Sequence, residues 1–395
     1  MKALIAGGGI GGITAALCLL DAGVEVELFE RAAALDEIGA GIQISPNGVK
    51  VLRRLGLTQA LDGVAFRPQA LEMRIGVSGT RLFAIPMRDV AERRFGAPYY
   101  HVHRADLIAV LSKALRERAP AVVHLNKDLL AFERTGRGIR AAFADGTAAE
   151  GDVLIGADGI HSRVRERLFG AEKPRFTGNV AWRLVVPATA RLKELVPPTA
   201  CVWVGPGRHA VTYYVRGGDL VNFVGVVERH DWQNESWTER GDKADLAADY
   251  AGWAKPIEAI IADAGECYRW ALFDREPLPK WSDGNVALVG DACHPMLPFL
   301  AQGAVMAIED AWVLSRKLKT AANIADAFVA FEAERKPRTT RAQRGARRQM
   351  GLYHKRGRVS QIATYGPMWL VAHLAPSVVH TRNDWLYSHD VVAGG

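Results

Sequence analysis

Gly7, Gly9 and Gly12 follow the short apolar run Ala3 to Ala6 and precede a helical pattern from Ile13 to Leu20. Glycines at this spacing between a strand and a helix suit phosphate binding. The tight turn lets backbone approach a pyrophosphate, and the helix N-terminus adds partial positive charge. Val24 to Phe29 alternates as a second strand and ends at Glu30, an acid placed to accept hydrogen bonds from ribose hydroxyls. The unit is βαβ and its ligand a dinucleotide, with NAD and FAD both meeting the description. A second group of reactive side chains stands much later. Gly205 to Val215 reads as a strand in which His209, Val211, Tyr213 and Val215 share one face, so an imidazole and a phenol point to one pocket.

Two further segments carry acidic turns at strand ends. Asp152 to Gly156 is a buried-type strand running into Ala157-Asp158-Gly159, with Ser162-Arg163-Val164-Arg165 at a helix start. Asn285 to Val289 repeats the theme with Gly290-Asp291, and Gln302-Gly303-Ala304 introduces an apolar helix up to Leu318. With the glycine turn, the Gly156 to Gly159 turn and the Gly290-Asp291 turn in this order over residues 1 to 330, the chain resembles the single-component FAD-dependent aromatic hydroxylases, with the p-hydroxybenzoate hydroxylase fold. His294 to Ala311, Gly39 to Asn47 and Trp385 to Ser388 are similar to the salicylate, 3-hydroxybenzoate and 6-hydroxynicotinate monooxygenase branch.

The resemblance implies an α/β fold: a FAD-binding Rossmann-like βαβ domain, an inserted mixed β-sheet substrate domain and C-terminal helices. It implies FAD held by Gly7, Gly9, Gly12, Glu30, Arg31, Arg104, Asp158, Asp291, Pro298, Gly303 and Ala304. Asp291 would bond the ribityl chain and Arg104 would lie near the ribityl and phosphate region. Gly303 would let backbone approach the isoalloxazine, where a helix N-terminus favours the anionic reduced ring. No second glycine motif follows a strand, so the sequence offers no separate nucleotide fold for a nicotinamide donor; the resemblance implies NAD(P)H as a transient co-substrate, with Asp158, Arg163 and Arg165 as candidate neighbours and NADH versus NADPH open.

The family's reaction uses O2 to form a C4a-hydroperoxyflavin, which transfers oxygen to an electron-rich ring in a site that excludes water. Removing a phenol's proton activates its ring. His209 and Tyr213 match the His and Tyr that the 3-hydroxybenzoate and 6-hydroxynicotinate enzymes use at the same spacing, and Gln302 matches a polar residue beside the flavin. Gln43 departs from the pattern, standing where the 6-hydroxynicotinate enzymes carry a histidine, and it cannot act as a base. The implied substrate is a small hydroxylated aromatic acid, salicylate-type first, with decarboxylation open and 3-hydroxybenzoate- or 6-hydroxynicotinate-type hydroxylation as alternatives. Arg74, Arg81, Arg88, Arg183 and Arg216 are all available for its carboxylate. A flavoprotein oxidase or dehydrogenase without oxygen insertion is the rival class.

Around these residues the chain must supply elements. Its 395 residues, 49% hydrophobic and 24% charged, suit about two domains and exclude fibrous and disordered classes. The FAD-binding part is expected at 1–70, 97–175 and 276–345, the substrate part at 71–96 and 176–275, and a helical tail at 346–395. Trp232 to Trp237 reads as a loop or edge. The net charge of +7 gathers between Arg335 and Arg348, at spacings that make one basic helical face, expected to be solvated rather than to bind nucleic acid. The four cysteines are scattered, which predicts free thiols in a reducing, cytoplasmic setting without a structural metal. No apolar stretch reaches membrane-spanning length. The tail is expected to pack on the body or on a second subunit, leaving a homodimer open.

Overall fold

The computed structural model describes residues 1–35, 40–136, 138–229 and 239–393. The segment Trp232 to Trp237 and residue Gly39 of the early motif lie outside them.

The first five-residue strand, Lys2–Ala6, is almost wholly buried, as a run without polar alternation must be when both faces are covered. It lies inside a six-stranded sheet ordered Ser282–Asp283, Val286–Leu288, Val153–Gly156, Lys2–Ala6, Glu25–Phe29, Val123–His124. All neighbours are parallel except the first pair. The chain runs from Lys2–Ala6 to one neighbour, Glu25–Phe29, and reaches the other, Val153–Gly156, only much later, so the strand order reverses at the central strand. Open α/β sheets bind ligands at the carboxyl ends of strands beside such a reversal. Ala6 pairs with both Phe29 and Gly156, which brings the glycine turn, Glu30 and the Asp158 turn to one sheet edge.

A second, seven-stranded sheet runs Tyr268–Asp274, Arg175–Pro187, Leu220–Glu228, Arg208–Val215, Ala200–Gly205, Ala70–Ile75, Arg81–Pro86. It is mixed, because Ala200–Gly205 and Ala70–Ile75 pair in parallel while the rest are antiparallel. One face packs on the apolar residues of Lys255–Ala262 and Trp253, and the other turns toward the nucleotide-type sheet. Smaller sheets, Leu129–Thr135 with Gly138–Phe143 and Ala148–Gly151, and Gly41–Ile44 with Tyr100–His103, complete the β structure.

Helix Gly303–Thr320 packs on Ile10–Asp21 and Pro46–Arg54, and the 30-residue helix Ile324–Tyr353 follows it. The boundary expected after residue 345 falls inside that second helix. The basic face on it also differs from expectation. Arg335 is fully buried and Arg338 nearly so, because Glu309 and Asp310 on the preceding helix face them. Only the later members of the run, such as Arg341, Arg344 and Arg348, are exposed. All four cysteines are free and buried, and among the described residues no helix is long and apolar enough to cross a membrane.

Candidate active site and cofactor cradle

The glycine turn is shaped by close approach. A Cβ on Gly12 would stand 1.9 Å from the Gly7 carbonyl oxygen, and Gly7 itself has φ +107° with the Ala157 oxygen 2.4 Å from where its Cβ would be. Gly12 therefore packs helix against strand and does not line the cavity, whereas Gly7 and Gly9 do. Glu30 accepts from the Gly8 N–H at 2.6 Å and the Ala32 N–H at 2.8 Å, which holds its carboxylate at the turn.

One cavity of about 820 Å³ begins at this turn and continues to the seven-stranded sheet. Along it stand Glu30 and Arg31, then Arg104, Asp158 and Asp291, then Pro298, Gln302, Gly303 and Ala304, and finally His209 and Tyr213. The structure thus brings together every expected site residue except Gly12. Helices Ile10–Asp21 and Gly303–Thr320 both start at the wall with no side chain capping them. Two sets of unpaired N–H groups with helix-dipole charge face the same space, as a pyrophosphate at one end and an electron-rich ring at the other require. A Cβ on Gly303 would enter that space, 3.8 Å from Met296 Cγ and 3.9 Å from Asp291 Oδ1. These residues fit FAD.

Charge is arranged along the same wall. Enclosure by protein pushes the Asp291 carboxyl up from its usual range, against the pull of His294, Arg104 and Arg165. Burial likewise lowers Arg104, with Asp291 opposing. Asp158 accepts from the Val164 N–H at 3.1 Å and so starts the helix Arg163–Phe169 together with Ser162, whose hydroxyl accepts from Arg165 N–H. Arg165 donates to the carbonyls of Ala292 (2.8 Å) and Ile160 (2.6 Å), which ties the Asp158 turn to the Asp291 turn. Arg163 pairs with Asp128 at 3.1 Å.

Gln302 lines the cavity, yet its carboxamide is engaged below the surface. It donates to Ser45 Oγ at 2.9 Å and accepts from Asn47 Nδ2 at 3.3 Å. Asn47 donates to Glu309 at 2.6 Å, and Glu309 meets Arg335 and Arg338. Asp310 continues the network to Arg335 (2.8 Å), to His294 Nε2 (2.5 Å) and to the Gly290 N–H (3.1 Å). A buried acidic pair thereby fixes both the Asp291 turn and the start of the helix at Gly303. Burial pushes Glu309 up, but Arg335, Arg338 and Asn47 outweigh it and hold the carboxyl down at about 2. The signal for this network was Glu309-Asp310, two adjacent charges inside the otherwise apolar stretch Gly303 to Leu314.

On the sheet side, the strand Arg208–Val215 sends His209, Val211 and Tyr213 into the cavity. Register places Arg183 opposite Val224 and Val224 opposite Val211, and all three line the same wall. Arg183 is therefore about two strand spacings, roughly 10 Å, from the His209–Tyr213 strand. Its guanidinium lies 4.3 Å from the Trp270 ring centre, and burial pushes it down to about 10, helped by Arg104. The other candidate cations lie elsewhere: Arg74 and Arg81 pair with Glu72, Arg216 with Asp106, and exposed Arg88 bonds the Arg67 carbonyl. Gln43 reaches the cavity and accepts from Tyr99 Oη–H at 2.7 Å.

His209 is buried with its ring against Phe299 and Tyr353. Burial, then the adjacent His354, lowers its pKa well below that of a free imidazole, so it is neutral. Burial raises Tyr213 far above the ordinary phenol range, making it a donor near neutral pH, and its ring packs on Gly41 and His101.

A family model described as FAD binding domain matches residues 1–346. The chain is 39% identical over 351 residues to 3-amino-4-hydroxybenzoate 2-monooxygenase of Streptomyces platensis, covering 89% of this chain and 88% of that protein. It is 40% identical over 345 residues to 6-hydroxynicotinate 3-monooxygenase of Pseudomonas fluorescens, covering 86% and 89%. A crystal structure of Klebsiella pneumoniae HpxO complexed with FAD and uric acid superposes with TM-score 0.87 at 29% identity, covering 98% of this chain and 97% of that one.

Proposed function

The chain belongs to the family of the FAD binding domain, and from that premise we propose that it is a flavin-dependent monooxygenase that hydroxylates a small hydroxylated aromatic carboxylic acid, using NAD(P)H and O2. The observation that carries this reading is the single cavity joining an uncapped dinucleotide-type turn to a sheet face that bears an imidazole, a phenol and a buried guanidinium. Both named relatives act on aromatic acids that carry a ring hydroxyl, which is chemistry this face suits.

When bound and reduced by NAD(P)H, FAD would supply the electrons that activate oxygen. Gly7, Gly9 and the N-terminus of Ile10–Asp21 would hold its pyrophosphate, Glu30 its ribose, and Arg104 and Asp291 the ribityl region. Arg31, Asp158 and Pro298 complete the lining of the cradle, while Gly303 and Ala304 bring the second helix N-terminus to the ring. Gln302, through Ser45 and Asn47, keeps that N-terminus in place.

The substrate's carboxylate goes to Arg183, whose charge is buried over Trp270 and gains a charge-assisted bond there. Its hydroxyl lies toward His209 and Tyr213. His209 takes the phenolic proton, and Tyr213, held protonated by burial, donates to the resulting oxyanion. Val211, Val224, Val226 and Leu297 give the ring a dry apolar floor that keeps water out.

Salicylate remains first among substrates on the sequence motifs, with the aminohydroxybenzoate and hydroxynicotinate types beside it on the relatives. Free buried cysteines suit the cytoplasm. The test is a panel of hydroxybenzoates and hydroxypyridine carboxylates scored for stimulated NADH and NADPH oxidation, with product identification. A hydroxylated product from one acid supports the reading. Stoichiometric hydrogen peroxide with every acid would make the protein an oxidase-type flavoprotein instead.

A further inference from the structure

Behind His209 the structure holds a chain of titratable groups that leads away from the cavity. His209 Nδ1 lies 2.6 Å from His354 Nε2, and His354 Nδ1 lies 3.1 Å from Glu228 Oε1. Glu228 closes the strand Leu220–Glu228, and its other oxygen pairs with Arg356, whose Nε is 3.0 Å away. Exposure rises along the line: His354 is 2% exposed, Glu228 26% and Arg356 71%. His354 itself caps the end of the long helix Ile324–Tyr353, so the line crosses from sheet to helix and out.

We propose that His354 and Glu228 are positioning residues that set the tautomer of His209 and carry the substrate's phenolic proton from the cavity to solvent. This rests on the reading of His209 as the base. An ionised Glu228 can only accept, so His354 carries its proton on Nδ1 and offers a lone pair at Nε2. His209 must then donate from Nδ1, which leaves its Nε2 lone pair for the cavity side. Without this ordering the imidazole could present N–H to the substrate and would not be a base.

Transfer balances atom by atom. The substrate O–H bond breaks and its proton joins His209 Nε2, the Nδ1 proton passes to His354 Nε2, and the His354 Nδ1 proton passes to Glu228. From Glu228 it leaves to water. No electron changes hands, and the bound substrate becomes a phenolate. Burial disfavours an imidazolium at His209, so a proton taken there must be handed on. Burial also lowers His354, against the pull of Glu228. The other titratable groups packed around the line are the neutral phenols Tyr353, ring to ring with His209, and Tyr250, which donates to the His209 carbonyl, and the cation Arg356.

The experiment uses FAD-loaded enzyme and a nitro-substituted hydroxybenzoate, whose phenolate alone absorbs visible light, mixed by stopped flow at a pH where the free probe is protonated. Phenolate formation and the proton released to an indicator dye are followed together. Wild type should show both. Glu228→Gln and His354→Ala should slow both by on the order of tenfold or more, the scale of losing assisted proton transfer, with probe affinity and FAD retention within about twofold. Added imidazole should restore His354→Ala. If His354→Ala fails to fold, the isosteric Glu228→Gln, at a partly exposed position, carries the test alone. Wild-type rates in both variants would overturn the relay while a slow His209→Ala keeps the base reading. Unchanged phenolate formation in His209→Ala, or none in wild type, would sink the base reading and the relay with it.

Discussion

His209 and Tyr213 sit on one strand face, and the roles proposed for them, base and donor, have the same physical cause. Burial lowers an imidazole and raises a phenol, so one becomes a neutral acceptor and the other a neutral donor. His209→Ala and Tyr213→Phe should each cut hydroxylation by about 100-fold, the low end for general acid-base groups. FAD content should stay at the wild-type level; full hydroxylation by both would remove the pair from the chemistry. Arg183→Ala should act differently. Removing a charge-assisted bond to the carboxylate costs about 1.5–3 kcal/mol, which appears as a KM higher by roughly ten- to a hundredfold. An unchanged KM for every aromatic acid would place the carboxylate elsewhere.

Elements decide how close the cofactor can come. Helix Ile10–Asp21 can press on its strand only because Gly12 has no side chain, its would-be Cβ lying 1.9 Å from backbone. Backbone cannot yield as a flexible side chain can. Gly12→Ala should therefore displace the helix N-terminus and give protein purified with little flavin, measured by the ratio of flavin to protein absorbance. Helix Gly303–Thr320 adds buried charges to close packing in positioning its N-terminus. Glu309 and Asp310 hold the Gly290 turn on one side and the Asn47 and Gln302 group on the other.

At the scale of the whole molecule those charges join the nucleotide-type half to the long C-terminal helix. Arg335 meets Glu309 at 2.6 Å and Asp310 at 2.8 Å, all three buried. Arg335→Met leaves two carboxylates without that cation and should cost about 3–5 kcal/mol in chemical denaturation; a loss under about 1 kcal/mol, the scale of an exposed pair, would contradict the network's importance. Acid acts on another set. Burial lowers His101 to about 3 and also lowers His209 and His354, so the folded state keeps them neutral while the unfolded chain protonates them. Stability should therefore fall as pH drops below about 6.5, by up to about 1.4 kcal/mol per unit for each histidine, ending for His101 near pH 3. Glu309, held at about 2, adds its loss only below about pH 4.5. Urea midpoints compared between mildly alkaline and mildly acid buffer check this; a flat series would show that these histidines are protonated in the fold.

Local pattern was enough for the βαβ unit, because strand, glycine turn, helix and acid are contiguous and each is specified by short-range sterics. Period-two alternation likewise puts His209 and Tyr213 on one face from the order of residues alone, since side chains alternate strictly along a strand. Sequence could not rank the five arginines for a carboxylate. Their surroundings come from strands far apart in the chain, and only pairing showed Arg183 over Trp270 and the rest engaged with acids or backbone. Nor could it show that Arg335 is buried, because the acids that neutralise it sit on a separate helix. His354 and Glu228 were illegible for the same reason: they are 126 positions apart, and a proton path exists only where tertiary packing closes such gaps to hydrogen-bond length.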